Sequence, residues 1–184
     1  MSARPDQSGR MPFARGRLIR HQLIFLPAPE VAAYFEDPRN LQRLTPGWLG
    51  FRILELPDGP VVRGSRIRYR LRLFGIPLQW RTLIERSNPG LGFVDTQTSG
   101  PYRSWTHTHA FAERDGGVLM EDRVDYELPL GPLGFLAAPF VRLQLAAIFR
   151  YRRRRVQELA TAESLGEFGH QRSLGSIRST ESPY

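Results

Sequence analysis

The chain has 184 residues and a formal net charge of +8, from 26 basic and 18 acidic residues. Apart from histidine, every basic residue is arginine, and the chain contains no lysine and no cysteine. Without lysine the protein has no Schiff-base chemistry and no pyridoxal-phosphate anchor. Without cysteine it has no disulfide, no thiolate nucleophile and no cysteine-ligated metal. The length fits one domain with a sizeable core.

The two ends of the chain differ in composition from its middle. Residues 1–17 contain four arginines among scattered Pro, Gly and Ser, and residues 163–184 are rich in Ser, Gly and Arg. Neither end has periodic apolar positions, which predicts two disordered tails around a folded domain of residues 18–162. No apolar segment of a signal peptide follows the first residues, so we expect a cytoplasmic protein.

Within this domain the apolar positions predict one strand, two short helices, six strands and one long helix, in that order. Strict alternation of apolar and polar residues marks the strands, and Pro38 ends the first helix. The expected strands are 18–26, 50–56, 66–74, 78–86, 92–98, 104–113 and 118–128, and the expected helices lie within 28–46 and from 133 or 139 to 162. Short turns between strands predict an antiparallel sheet, and one long amphipathic helix is buried only if that sheet curves round it.

Seven short segments carry a resemblance to a known superfamily. They are Phe35-Glu36-Asp37-Pro38-Arg39-Asn40-Leu41, Leu44-Thr45-Pro46, Trp80, Phe93-Val94-Asp95-Thr96-Gln97, Gly100-Pro101-Tyr102, Trp105-Thr106-His107-Thr108-His109-Ala110-Phe111 and Tyr126-Glu127-Leu128-Pro129. Together they resemble the START/Bet v 1-like (SRPBCC) superfamily, in particular its uncharacterised ligand-binding and polyketide-cyclase-like members. The resemblance implies an α+β helix-grip fold, with a curved antiparallel sheet of about seven strands around a long C-terminal helix. It also implies binding of a lipid, sterol, quinone, polyketide or plant hormone, and no universal catalytic set.

The predicted inward face of the sheet carries polar side chains among aromatic ones. Period-two alternation places the following residues on that face: Phe93, Asp95, Gln97, Trp105, His107, His109, Phe111, Asp122 and Tyr126. Because the connecting turns are short, these three strands pair antiparallel, and Asp95 is expected beside His107 or His109. By the same argument Asp122 is expected near His109.

Four interpretations of these polar residues remain open. One is a satisfied hydrogen-bond network inside the core, and a second is the polar floor of an apolar ligand cavity. A third is general acid–base catalysis by an Asp–His pair, although the sequence offers no partner nucleophile and no G-x-S-x-G motif. A fourth is a metal site, because His-x-His with nearby carboxylates is a possible facial set. Its likeness to a cupin motif fails in the spacing before the first histidine, and no metal is predicted.

The leading hypothesis is a protein that binds, and so sequesters or carries, a hydrophobic or aromatic small molecule between the sheet and the last helix. The expected ligand-binding residues are Tyr69, Trp80, Phe93, Asp95, Gln97, Trp105, His107, His109, Phe111, Asp122 and Tyr126. Apolar burial would supply affinity, and the polar residues would orient the ligand. The alternative is a cyclase-like or dehydratase-like enzyme with His107 or His109 as general base. No cofactor is predicted.

Arginines are concentrated at two places in the predicted domain. Arg66, Arg68, Arg70 and Arg72 alternate along one strand and form a cationic stripe on its outer face. The common interpretation of such a stripe is a solvated surface, and the alternative is a docking face for an acidic partner. Nucleic-acid binding is not expected, because the sequence shows neither interleaved exposed aromatics nor a recognition helix.

The second concentration lies on the last helix, directly after the apolar segment 133–149. Its arginines are Arg150, Arg152, Arg153, Arg154 and Arg155. An amphipathic helix with such a basic end predicts possible docking on an anionic membrane surface. A membrane-spanning helix is disfavoured, because the apolar segment is short, Pro139 interrupts it and Arg142 lies near its centre.

Overall fold

The structure is a computed structural model that describes residues 14–129, 131 and 133–175, with side chains described as far as residue 162. The elements in chain order are β1 (Arg15–Ile24), α1 (Ala28–Glu36), two short 3-10 helices (Pro38–Gln42 and Gly47–Leu49), β2 (Arg52–Glu55), β3 (Arg66–Leu73), β4 (Ile76–Asn88), β5 (Gly92–Ser99), β6 (Ser104–Arg114), β7 (Gly117–Glu127) and α2 (Leu133–Gly175). The described strands form one antiparallel seven-stranded sheet in the order β1-β7-β6-β5-β4-β3-β2.

Helix α2 packs in the concave face of the sheet. Val141, Leu145 and Phe149 belong to one core cluster, and Val156 and Ala160 belong to a second. These residues recur at intervals of four or seven residues, which places them on one helix face, and this is why a single long helix fills the curve of the sheet. The α+β helix-grip fold predicted from the sequence is confirmed.

The first strand begins earlier than its apolar pattern predicts. Arg15 and Arg17 pair with Glu127 and Asp125 of β7, both in backbone register and through their side chains. Gly16 lies under the ring of Tyr126, where a Cβ atom would come within 2.3 Å of the ring. These partners lie more than a hundred residues away, so local periodicity does not reveal them.

Both expected tails therefore overlap with described elements. The last residues of the tail expected over 1–17 belong to β1, and residues 1–13 lie outside the described residues. The first part of the tail expected over 163–184 belongs to α2, which ends at Gly175. Residues 176–184 lie outside the described residues.

The segment between α1 and β2 is bent by proline, as the sequence predicts. Helix α1 ends at Glu36, and the carboxylate of Asp37 accepts a hydrogen bond of 3.0 Å from the backbone N–H of Arg39. The Arg39 side chain also donates to Asp37 and lowers the pKa of that carboxyl group. This capped turn begins the first 3-10 helix, Pro38–Gln42.

Strand β5 begins with an unusually close approach to β6. Gly92 has a φ angle of +130°, and a Cβ atom at this position would lie 2.0 Å from the carbonyl oxygen of His109. Only glycine fits a backbone of this conformation at this distance. The close approach sets the position of Phe93 and Asp95, the inward-facing residues that follow.

Candidate functional site

A cavity of about 170 Å³ lies between the sheet and α2. Its apolar wall includes Tyr34, Phe35, Leu44, Leu49, Phe51, Ile67, Tyr69, Leu71, Trp80, Ile84, Phe93, Tyr102, Trp105, Leu145, Ile148 and Phe149. Its polar lining from the sheet and α2 consists of Thr82, Asp95, His107, His109 and Arg152. For comparison, a cavity of about 150 Å³ in another protein is large enough to bind benzene.

The strand register brings the polar residues of three strands together. Asp95 of β5 lies directly opposite His107 of β6, and His109 lies opposite Asp122 of β7. Both histidines are buried, and Asp122 is only 2% exposed. The neighbours expected from short turns and antiparallel pairing are the neighbours observed.

These four residues, Asp95, His107, His109 and Asp122, form what we call the Asp–His cluster. The Asp122 Oδ1 atom lies 2.7 Å from His109 Nδ1 and accepts a hydrogen bond of 3.2 Å from His107 Nε2. The opposite ring nitrogens, His107 Nδ1 and His109 Nε2, lie 3.5 and 3.8 Å from Asp95 Oδ2. The two imidazoles therefore lie side by side between two carboxylates, with ring centroids 4.0 Å apart.

Arg152 of α2 reaches the cluster from the opposite side of the cavity. Its Nε atom lies 3.9 Å from Asp122 Oδ2, and its guanidinium carbon lies 5.5 Å from the ring centre of Phe35 and 6.0 Å from that of Phe149. The side chain is 11% exposed. The interpretation of Arg152 as a membrane-surface residue is therefore wrong, because its guanidinium is directed at a buried carboxylate.

Burial and neighbouring charges set the protonation of the cluster. Burial, reinforced by His107, lowers the pKa of His109 to about 3, so this imidazole is neutral. Burial alone would raise the pKa of Asp122, but Arg152 and the two histidines hold it well below its usual range. Burial raises the pKa of Asp95, a shift that His107 and Arg152 partly oppose. Asp122 is thus the ionised partner that both rings face.

Seven of the residues expected to bind ligand border the cavity. They are Tyr69, Trp80, Phe93, Asp95, Trp105, His107 and His109. These side chains lie on the same face of four neighbouring strands, β3 to β6. The period-two alternation of the sequence already indicates this shared face.

Four other expected ligand-binding residues lie away from the cavity. Gln97 holds the following turn, because its side chain donates to the backbone carbonyl of Tyr102 at 2.7 Å. Phe111 and Tyr126 are packed into the core, and Asp122 lies behind the two histidines. Residues on the inward face of a strand thus border the cavity, hold a turn through a hydrogen bond or pack in the core. Alternation alone does not distinguish these three roles.

The sequence reasoning missed the part of the wall that comes from helices and connections. Phe35, Leu49 and Phe51 contribute from the α1–β2 region, and Leu145 and Arg152 contribute from α2. Helical spacing contains a signal for Arg152, since it lies seven residues after Leu145 on the buried face of α2. A charged residue at a core position of a helix is a candidate partner for a buried acid.

The predicted arginine stripe lies on the outer face of β3. Arg68 pairs with Glu55 of β2, while the register sets Arg70 opposite Arg52 and Arg68 opposite Arg81. The exposed outer surface of this sheet edge is thus more basic than one strand alone predicts. A docking face for an acidic partner, the alternative interpretation of this stripe, stays a prediction.

Comparison with known proteins places this fold. A family model described as "Domain of unknown function (DUF8410)" matches residues 52–160. None of the curated proteins matches the sequence significantly.

Several solved structures are similar to the described chain. TTHA0849 from Thermus thermophilus matches with a TM-score of 0.66 and 17% identity, over 81% of this chain and 99% of that one. The major latex-like protein 151 of Panax ginseng matches with a TM-score of 0.56 and 14% identity, over 79% and 97%. The di-domain ARO/CYC StfQ from the steffimycin biosynthetic pathway matches with a TM-score of 0.66 and 14% identity, over 82% of this chain and 52% of that one. The START/Bet v 1 (SRPBCC) fold suggested by the sequence is thereby confirmed.

Proposed function

Because the chain belongs to the family described as a domain of unknown function, DUF8410, we propose its function from the geometry of the site: it binds a hydrophobic or aromatic small molecule between the sheet and α2. The observation that carries this proposal is the cavity of about 170 Å³. Protein interiors are close-packed, so a space of this size between sheet and helix is room that a small molecule could fill.

The size and lining of the cavity favour a ring system of one or two aromatic rings with an oxygen acceptor. Trp80 borders the cavity and is 5% exposed, and its indole N–H has no hydrogen-bond partner among the described residues. A buried donor without a partner costs about 1–3 kcal/mol. A phenol, quinone or ketone oxygen on the ligand would accept this hydrogen bond. A longer tail would have to leave the cavity.

The segment between α1 and β2 is the proposed entrance. Asn40, Leu41 and Thr45 border the cavity and are only half-buried, whereas the strands that border it contribute mainly buried residues. Two short 3-10 helices hold fewer backbone hydrogen bonds than a long helix, so this segment opens at lower cost than the sheet. The proposed activity is therefore enclosure and release.

We expect 1-naphthol to bind the full chain with one site, measured by quenching of tryptophan fluorescence and by calorimetry. Trp80→Phe should weaken 1-naphthol binding about 5- to 10-fold, which matches the loss of one hydrogen bond, and should leave naphthalene binding unchanged. Leu145→Trp should abolish both by filling the cavity. Leu128→Phe is the matched control, because Leu128 is buried outside the cavity wall.

Two results would contradict the proposal. One is the absence of saturable 1-naphthol binding by the folded wild-type chain. The other is wild-type affinity in a folded Leu145→Trp variant. Independently of these variants, native mass spectrometry of protein purified from its own host would identify the natural ligand, because a co-purified compound adds its own mass to that of the protein.

Catalysis by a cyclase-like mechanism is less well supported by this geometry. A free general base needs an imidazole nitrogen that faces the cavity without a protein partner. In the Asp–His cluster each ring nitrogen of His107 and of His109 lies between 2.7 and 3.8 Å from a carboxylate oxygen, so no ring nitrogen faces the cavity alone. The arrangement therefore favours binding, and the enzyme remains the alternative.

A specific surface supports a second role, docking on an anionic membrane. The first half of α2 carries large apolar side chains that are each more than half exposed, namely Leu133, Phe135, Leu136, Phe140 and Leu143. The exposed arginines Arg150, Arg153 and Arg154 follow on the same helix, and Arg155 pairs with Glu158. A clustered apolar surface of this kind marks an interaction site, and each arginine near an anionic surface contributes about 1 kcal/mol.

The segment Leu133–Ala162 is also long and apolar enough to cross a membrane by length and composition. It is, however, the core helix of the fold, since its other face packs against the sheet. Docking with the fold intact therefore agrees with the packing better than spanning does. Such docking would give an apolar ligand a short path from a bilayer to the cavity.

We expect the chain to co-sediment with vesicles of phosphatidylserine and phosphatidylcholine at low salt. Binding should fall at least 10-fold in a Leu136→Glu/Phe140→Glu variant and should weaken with rising salt, since the arginines contribute electrostatically. Leu91→Glu is the matched control, because Leu91 is 66% exposed in the connection between β4 and β5. No wild-type binding at low salt, or equal loss in the control, would reject this role.

A further inference from the structure

The Asp–His cluster has a second feature that ligand enclosure does not need. We propose that Asp95, His107 and His109 bind one first-row divalent cation, such as Zn²⁺ or Fe²⁺, at the wall of the cavity. One ligand atom from each of these residues lies within 4.8 Å of the other two. This inference concerns the cluster alone and does not depend on the proposed aromatic ligand.

The spacing of the three atoms fits a shared ion better than direct contact. His107 Nδ1 and His109 Nε2 lie 3.5 and 3.8 Å from Asp95 Oδ2. These distances exceed the range of about 2.7–3.2 Å that is usual for N–H···O hydrogen bonds. Ligand atoms in a tetrahedral site with bonds of about 2.0–2.1 Å lie about 3.3–3.4 Å apart. The two distances to Asp95 lie within a few tenths of an ångström of this spacing, and the ligand atoms of all three residues lie within 4.8 Å of one another.

Asp122 orients both imidazoles for this task. It faces the other nitrogen of each ring, His109 Nδ1 at 2.7 Å and His107 Nε2 at 3.2 Å. Histidines that bind metals usually donate their second ring N–H to a carboxylate, which fixes the tautomer and directs the free lone pair to the ion. His107 makes this hydrogen bond to Asp122, and the Nδ1 atom of His109 lies beside the same carboxylate oxygen.

The acidic side chains of the cluster favour a cation. Asp95 would bind the ion directly, and Asp122 lies beside the other nitrogen of each ring. Arg152 contacts Asp122 through Oδ2, the oxygen that does not face the rings.

The proposed site keeps an open coordination position. Asp95, His107 and His109 border the cavity, whereas Asp122 does not. An ion held by three protein ligands at a cavity wall has its remaining positions on the cavity side, which is the arrangement of reactive rather than purely structural sites. An oxygen atom of a small molecule is the group that would complete the coordination.

The competing explanation is a shared proton. A proton shared among the carboxylates and imidazoles of the cluster would also bring these groups together, without any ion. Only the metal site predicts stoichiometric binding of a divalent cation. This binding can be measured without knowing any activity of the protein.

The test uses the full chain after removal of metals with a chelator. Co²⁺ is added as the spectroscopic probe, and Zn²⁺ affinity is measured by calorimetry with metal content checked by elemental analysis. We expect one equivalent of either ion, with visible Co²⁺ absorption typical of nitrogen and oxygen ligands in a low-symmetry site. Asp95→Asn and His109→Gln should each weaken Zn²⁺ binding at least 100-fold.

His21→Gln is the matched control, because His21 forms a surface pair with Glu121 at 3.0 Å and should leave binding unchanged. Should the cluster variants unfold, the histidine ring signals of the wild-type chain decide the question. Two buried rings should shift on addition of one equivalent of Zn²⁺, while the His21 ring should not. Absence of stoichiometric binding by the wild-type chain, or loss of binding in His21→Gln instead, would overturn the proposal. Binding of 1-naphthol by the same metal-free sample tests the cavity separately.

Discussion

Replacement of Asp122 by alanine is expected to lower the free energy of unfolding by about 3–5 kcal/mol, the usual cost of removing one partner from a buried charge network. Asp122 is 2% exposed and is the carboxylate that His107, His109 and Arg152 all face. Without it His107 Nε2 loses its hydrogen-bond acceptor, and the buried guanidinium of Arg152 loses the nearby negative charge. Urea unfolding followed by circular dichroism measures the difference.

Two further variants separate this effect from the general loss of an acidic side chain. Asp125→Ala removes a carboxylate from the same strand, where it pairs with Arg17 and Arg123 at the partly exposed outer face. It should cost less than about 1 kcal/mol, as surface ion pairs do. Asp122→Asn should fall between the two, because it keeps the shape and one acceptor. Equal losses for Asp122→Ala and Asp125→Ala would show that the network contributes nothing.

Gly92→Ala is expected to cost about 3 kcal/mol or more, because it combines a strained backbone with a clash. The new Cβ atom would lie 2.0 Å from the carbonyl oxygen of His109 and 3.0 Å from the Cα atom of Ala110. Both obstacles are backbone atoms, so strands β5 and β6 would have to separate. The separation would also move Asp95 away from His107, and we expect weaker 1-naphthol binding together with the lost stability.

Gly116→Ala provides the comparison for Gly92→Ala. Gly116 also has a positive φ angle, +77°, but nothing lies within 4 Å of the position of its Cβ atom. Its replacement should cost about 1–2 kcal/mol from backbone strain alone. If thermal and urea unfolding showed the same loss of unfolding free energy for Gly92→Ala and Gly116→Ala, the expected clash with β6 would be refuted.

The cluster shows how far sequence reasoning reaches into the site. Short turns and period-two alternation are local properties, and they correctly predict Asp95 beside one of the two histidines and Asp122 beside His109. The same alternation places Gln97 and Tyr126 on the inward face without showing that one braces a turn and the other fills the core. Which inward residue borders empty space depends on what packs opposite it.

Arg152 shows the limit most clearly. Within its sequence context it belongs to a run of arginines, and such a run usually indicates a solvated or membrane-facing surface. The rotation of α2 against the sheet instead directs this one side chain at Asp122 and between two phenylalanine rings. That rotation is set by the apolar face of the whole helix.

By itself the sequence determined the class of the fold, the order of its elements and the antiparallel pairing of consecutive strands, because these follow from local periodicity, turn length and proline position. It also excluded lysine and cysteine chemistry outright. Only the tertiary structure decided the limits of the first strand, the cavity of about 170 Å³ and the inward position of Arg152. These features arise where residues from distant parts of the chain share one volume, and whether that volume is filled depends on all of them at once.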